Sequence, residues 1–301
     1  MMKTISLKAL GALLGADPLG DPETRITGVS SLDRAAPGSL VMVESQDQVE
    51  QLQGSSIGAV LRKSGLEVDF PGFEAAEPRL LFAEILEHFH PPRSFAPGVH
   101  ESASVDQRAR VHPTAHVGPF CTVGPHAEIG PKVVLIAFVL IGEKTVVGEG
   151  SLLNPHVVIG PECKIGLDCR LEPWAKLGKA VELGDGVDVG AHTSLAEQVV
   201  VEAGAKLDNL VLVGPRSRIG AGSLLIGQAA VDRDAVLHKG VIVAGQGSVA
   251  PGAVLHAGVQ IGGRSLAEGE LKAPGPYIGT PAIPLKEEMR RRALERKKQR
   301  G

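Results

Sequence analysis

Aromatic side chains make up only 3% of this 301-residue sequence, with seven Phe, one Trp and one Tyr. Apolar residues are nevertheless 43% of the chain, which excludes disorder. A core so poor in rings must be filled by Val, Ile, Leu and Ala, and that suits a narrow interior of uniform width. Cysteine is scarce as well: three residues are an odd count and exclude a disulfide scaffold. No apolar run reaches the roughly 18 residues of a membrane helix. Neither sign of charge dominates, and a net charge of −3 leaves the body without the basic footprint of a nucleic-acid binder. The opening MMKTISLKALGALLGADPLGD reads poorly as a secretory signal, because Lys8 interrupts it and Ala9–Ala16 lacks a cleavage context. These absences predict a soluble, cytoplasmic protein without a transmembrane segment or nucleic-acid partner. The length is a soft prior for about two domains.

What the sequence does have is a repeat. Stepping by six from Val99 to Ile261 meets 28 positions, and every one is Val, Ile or Leu without an insertion. Taking each as position i, position i+4 is always small or β-branched, as in Ala115, Cys121, Thr145, Ser151, Cys163, Cys169, Ala205 and Ser217. Position i+1 is Gly in 13 hexads, and i+2 is Pro nine times. Positions i+4 and i+6 lie two apart, so they share one face of a short strand and point inward. Gly with its permissive dihedrals and Pro with its preset φ then supply a corner between strands. Strand and corner repeated with stacked coils predict a parallel β-helix. At three hexads per coil, about nine coils are expected, roughly 45 Å long at about 4.8 Å per coil.

The repeat divides the chain into residues 1–96, 97–266 and 267–301. In the first part Ile5–Leu14 reads as a helix, Arg25–Val29 as a strand and Leu80–His90 as a second helix stopped by Pro91-Pro92, together a small α/β domain. The repeat fades after Ser265, and Gly275–Pro284 breaks regularity before a final helix. From Lys286 to Gly301 eight Lys/Arg face three Glu, a net +5, which leaves the rest of the chain near −8. Leu285, Met289 and Ala293 form a thin apolar stripe there. Such a tail favours an acidic macromolecular partner by electrostatic steering, and an acyl carrier protein is a natural candidate for Arg290, Arg291 and Arg292.

The hexad columns resemble those of the hexapeptide-repeat transferases, which implies a left-handed parallel β-helix and a homotrimer with sites between subunits. Three segments sharpen this: Gly20–Val43, KLDNLVLVGPRSRIG (Lys206–Gly220) and Gly275–Arg292. Their order and spacing resemble UDP-3-O-acylglucosamine N-acyltransferase of the lipid A pathway, with its uridine-binding domain, solenoid and C-terminal helix. The resemblance implies direct N-acyl transfer without a bound cofactor. The amine of a UDP-linked sugar attacks the thioester of an acyl carrier protein, and a His acts as general base, because an ammonium has no lone pair.

The chain departs from that pattern at three places. Pro215 stands where the family motif has its catalytic His, and proline cannot accept a proton. No aromatic follows Pro37-Gly38, where the family stacks uracil, and Glu44 there would repel phosphate. The Gly-Phe-Gly loop of the family's solenoid is missing. Asp208 and Asn209 match the family motif and are expected, with Pro215, to shape a substrate cleft. Of ten His, His156 and His192 share position i+3 on one edge, two coils apart, and are the candidate relocated bases. His238 and His256 share i+1 on adjacent coils but are too few to make a metal site. Cys121, Cys163 and Cys169 occupy the inward column and read as core; Trp174 reads as an exposed corner. Two functions follow: a diverged acyltransferase, or a non-catalytic trimeric paralogue that binds without turnover.

Overall fold

The computed structural model describes residues 4–91 and 94–300, and divides into two compact units, 1–94 and 95–301. Pro92, one of the two prolines expected to stop the second helix, lies outside the described residues.

The first unit has a four-stranded parallel sheet in chain order, formed by Gly28–Ser30, Ser39–Val43, Ala59–Lys63 and Gly72–Ala75. Its central strands are buried on both faces. Leu40 and Leu61 pack with Leu7, Leu10, Phe73 and Ile85, while Val41, Val43 and Val60 pack with Leu52 and Ile57. The first helix is Leu7–Leu14, not Ile5–Leu14. Ile5–Ser6 instead pairs with Arg25–Ile26, and the Ser6 side chain caps the helix by accepting Ala9 N–H at 3.3 Å. The expected strand Arg25–Val29 is likewise two strands, Arg25–Ile26 and Gly28–Ser30. The second long helix is Pro78–Phe89, with proline in its first turn where no N–H is needed.

The second unit is a three-sided β-solenoid. Strands of two residues, except the three-residue Val259–Ile261, run from Gly98–Val99 to Glu270–Leu271 and fall into three parallel sheets of ten coils each, one more than expected. Each strand pairs with the one 18 residues on, as His116 with Val134, until the last coil, where the spacing shortens to 16, as Val254 with Glu270 and Ile261 with Tyr277. Gly275–Gly279 extends the first sheet, and Ala282–Pro284 folds back on it antiparallel. The inward columns are those read from the sequence. Val, Ile and Leu at i and small residues at i+4 form one continuous core, with the three Cys buried in it. Burial pushes all three thiols up, away from the thiolate a nucleophile needs.

Buried hydroxyls in that core bridge coils. Thr193 Oγ1 donates to Asp208 O at 2.6 Å and accepts Val211 N–H at 3.1 Å. Thr145, Ser151, Ser217 and Ser223 repeat this double bond to the next coil, so no inward hydroxyl of this set is buried unpaired.

The corners work differently from the expectation. The left-handed residue is at i+3, and eighteen non-glycine residues there have φ between 50° and 66°. Each costs roughly 1–2 kcal/mol, which one buried Val, Ile or Leu per hexad, at roughly 1.5–3 kcal/mol, offsets together with the inter-coil hydrogen bonds. Glycine at i+1 is required by proximity instead. A Cβ on Gly142 would sit 2.5 Å from the backbone of Gly160 and Pro161 in the next coil.

The C-terminal helix, Leu285–Arg300, does not dock through the apolar stripe. Met289 and Ala293 are exposed, and among the described side chains of the helix the buried one is Glu288. Arg291 and Arg292 reach back to its carboxylate at 2.8 Å each, and the Arg292 hydrogen bond above all holds its pKa below the usual carboxylate range. A charge can sit there because two cations accompany it.

Candidate functional site

The corner that follows each strand of the first sheet holds the candidate residues His156, His192, Asp208 and Asn209. Its i+3 column runs Phe120, Phe138, His156, Trp174, His192 and Leu210, one residue per coil. The rings stack nearly parallel, with centroids 5.0 Å apart for Phe120–Phe138, 4.9 Å for Phe138–His156, 4.2 Å for His156–Trp174 and 6.1 Å for Trp174–His192. His156 is half-buried between Phe138 and Trp174, whereas His192, at the end of the stack, is exposed. Both candidate bases are therefore on one edge, as the spacing predicted, with Trp174 between them. Sequence reasoning missed Phe120 and Phe138 as members of this set. The signal was available, since both differ from His156 by multiples of the 18-residue coil.

Asp208 and Asn209 lie on the same corner, one coil beyond His192. Asn209 Oδ1 accepts the N–H of Ala191 at 2.7 Å, which clamps the turn carrying His192. The Asp208 carboxylate accepts the N–H groups of Asn209 at 2.7 Å and Gly227 at 3.0 Å. It is thus committed to holding backbone rather than presented as a base. Both residues also line a shallow depression of about 440 Å³ on the first sheet, with Arg170, Glu172, Asp188 and Lys206.

Pro215 is not with them. It sits at i+2 of the corner on the far side of the second sheet, separated from Asn209 by the strand Leu212–Val213. A depression of about 670 Å³ on that sheet is lined by Ser194, Leu212, Gly214, Ala230 and Asp232 but not by Pro215. Pro215 is a corner residue whose carbonyl accepts Asp234 N–H at 3.0 Å. The expected trio of Asp208, Asn209 and Pro215 is therefore split between two edges of one subunit.

His238 and His256 lie with ring centroids 5.1 Å apart, tilted by 31°, and His256 Nε2 is within hydrogen-bond distance of Glu270 Oε1 at 2.8 Å, so this pair is tied to a surface carboxylate. Glu44 is held by Arg79 through a bidentate pair at 2.8–3.1 Å, which lowers its pKa and neutralises the charge expected to repel phosphate. Of the three arginines of the tail, Arg291 and Arg292 hold Glu288, and Arg290 has no ion-pair partner among the described residues.

A six-residue inward column, small residues two before it and ten stacked coils are the hexapeptide-repeat solenoid. The chain resembles the UDP-3-O-acylglucosamine N-acyltransferases. It is 31% identical over 101 residues to UDP-3-O-acylglucosamine N-acyltransferase 1 of Legionella pneumophila, covering 33% of this chain and 29% of that one. It is 36% identical over 107 residues to the Pseudomonas fluorescens (strain SBW25) UDP-3-O-acylglucosamine N-acyltransferase, covering 35% and 30%. The chain thus spans less than a third of the length of these curated relatives. A family described as GMPPB C-terminal domain matches residues 99–195. Among solved structures, the Francisella novicida UDP-N-acetylglucosamine acyltransferase superimposes with a TM-score of 0.49 at 19% identity, over 65% of this chain and 73% of that one. The UDP-N-acetylglucosamine O-acyltransferase of Moraxella catarrhalis gives 0.44 at 24%, over 64% and 77%. No helix among the described residues is long and apolar enough to cross a membrane.

Proposed function

We propose that this protein is a hexapeptide-repeat acyltransferase that moves an acyl group from the thioester of an acyl carrier protein to the amine of an amino-sugar nucleotide or a related acceptor. In this reading it works as a cytoplasmic homotrimer without a resident cofactor. The observation that carries the proposal is the contact of Asn209 with the turn of His192. The Asp208-Asn209 segment, which resembles the motif of the N-acyltransferases, clamps the turn of His192, the exposed imidazole of the aromatic column. His192 takes the place of the histidine that Pro215 lacks. Its ring nitrogen accepts the proton from the amine as the amine nitrogen attacks the thioester carbon. The C–S bond breaks, and the leaving carrier thiolate takes up the proton. Asp208 and Asn209 position this corner. Of the three arginines, Arg290, which has no ion-pair partner among the described residues, is the cation that would meet an acidic carrier protein, while Arg291 and Arg292 contribute field from their pair with Glu288.

The test is acyl transfer followed by mass spectrometry, with 3-hydroxyacyl carrier protein and UDP-3-O-acylglucosamine or a panel of other amino sugars. Product from the natural chain and a loss of about 10²–10⁴-fold in His192→Asn is the expected outcome, the usual weight of a general base. An unchanged rate in His192→Asn removes His192 from the mechanism. A silent natural chain rescued by Pro215→His would show that no base has been relocated.

A further inference from the structure

The aromatic column forms a ridge along one edge of the solenoid, and His192 is its last ring. Trp174, His192 and Leu210 succeed one another at intervals of 18, with φ of 66°, 57° and 61°. The same backbone conformation one coil apart sends the three side chains off the corner in the same direction. Their heights are fixed as well, because His192 N–H donates to Pro173 O at 3.1 Å and Leu210 N–H to Ala191 O at 2.9 Å. The imidazole therefore follows an indole in the coil before it and precedes a leucine in the coil after.

A general base is ordinarily oriented by a third group that hydrogen-bonds its other nitrogen. Several imidazoles of this chain have such a partner within it. His100 Nδ1 is 2.9 Å from Ser102 Oγ, His112 Nδ1 is 2.9 Å from Thr114 Oγ1, and His116 Nδ1 is 2.7 Å from Ala96 O. Among the described residues nothing does this for the His192 ring. The carboxylates on the same corner of the adjacent coils are committed elsewhere. Asp208 accepts the N–H groups of Asn209 and Gly227, and Glu172 accepts from Arg170 at 2.9 Å. Asn209 anchors the backbone of the turn through Ala191, but it does not reach the ring.

What the His192 ring has is a parallel face. Its plane and that of Trp174 differ by 4°, with centroids 6.1 Å apart, an offset stack. Trp174 is itself backed by His156 at 4.2 Å and 7°, so it acts as a supported wall. Stacking covers the face of an imidazole and leaves uncovered the nitrogen lone pair, which lies in the ring plane.

We infer that Trp174 is a positioning residue for the acyl transfer: its indole face, in place of a hydrogen bond, sets the plane of the His192 imidazole and favours the imidazolium formed when His192 takes the proton of the attacking amine. The second effect comes from the ring quadrupole, which attracts a cation within about 6 Å of the ring. That attraction arises only as the proton moves, so it acts on the transition state rather than on substrate binding. The inference rests on the reading of His192 as the base and goes further by assigning what orients it.

Trp174→Leu and Trp174→Phe in the full chain test this, read by acyl transfer and by the His192 Hε1 signal in NMR, assigned through its loss in His192→Asn. Neither substitution strains the corner, because Leu210 and Phe138 hold the same conformation in the same column. Trp174→Leu should lower kcat about tenfold with KM nearly unchanged, and should shift Hε1 downfield as the indole ring current is removed. Trp174→Phe keeps a ring face and should retain most of the rate. Phe120→Leu, at the opposite end of the stack, should change neither readout. His192-dependent transfer that is undiminished in Trp174→Leu, equally diminished in Trp174→Phe, or altered only in KM overturns the role of Trp174 and leaves His192 as the base. Transfer that is absent, or unchanged in His192→Asn, overturns His192 and Trp174 together, even where the Hε1 signal shows the rings stacked.

Discussion

The side-chain oxygen of Asn209 lies 2.7 Å from the backbone nitrogen of Ala191 in the adjacent coil and accepts its N–H. A side chain one coil away thereby fixes the turn that aims His192. Asn209→Ala should lower kcat about 10–100-fold with KM nearly unchanged, the size of effect that a small misplacement of a reacting group has. Asn209→Asp, which still accepts this N–H, should retain most of it. Equal loss in both variants, or a loss confined to KM, would remove Asn209 from a positioning role.

Thr193→Val tests the buried hydroxyls without changing side-chain shape. Val187 and Val199 already fill the same inward column, so the cost is the pairing lost at Asp208 O and Val211 N. Denaturant unfolding should show about 1–3 kcal/mol of destabilisation, the cost of buried polar groups left unmatched. No change would mean that the coils close the gap on their own.

The two kinds of corner glycine should respond differently. In Gly142→Ala the new methyl meets backbone of the next coil, which cannot give way, and overpacking of that kind costs about 3 kcal/mol. In Gly186→Ala there is open space at a φ of 63°, and Ala180 already adopts that conformation, so about 1 kcal/mol is expected. Thermal unfolding of the pair reads the difference directly; equal shifts would refute the distinction.

Glu288 makes the docking of the final helix sensitive to acid. Its folded pKa is lowered, chiefly by Arg292, so the stabilisation is complete above the unfolded carboxylate value of about 4.3. It is lost as pH falls through the lower folded value. Hydrogen exchange in Leu285–Arg296, corrected for intrinsic rates, should be constant from pH 7 to 5 and rise below about pH 4. Glu288→Gln should show the raised exchange already at pH 7.

Much of this fold was written in two columns. The Val/Ile/Leu series and its small partner at i+4 specify which side chains point inward, and the ladder keeps its 18-residue spacing up to the last coil. The corners were less legible. Left-handed residues such as Trp174 and Glu162 are not glycine, so nothing in their identity marks the conformation, and the glycines that drew attention answer to crowding. The aromatic ridge was half-read. His156 and His192 were matched to each other, but Phe120 and Phe138 emerge only when the period of 18 is applied to every corner residue. Glu288 was hidden because a carboxylate in a basic helix reads as solvated. The separation of Pro215 from Asn209 depends on which corner each occupies, which the hexad position alone does not state.

The 18-residue register of the coils before the last has a consequence for insertions and deletions. Removal of Gly142–Ile159 takes out one whole turn of the ladder, and Ile141 then meets Gly160 with every later strand still under its former neighbour. The product should be a working solenoid shorter by about 4.8 Å. Removal of Gly142–Val147 alone also keeps each inward residue inward, yet it advances everything downstream by one side, about a third of a revolution. Phe120 and Phe138 would then face a different direction from Trp174 and His192. The chain thus carries two frames: a frame of six that preserves the core, and a frame of eighteen that preserves what the edges display.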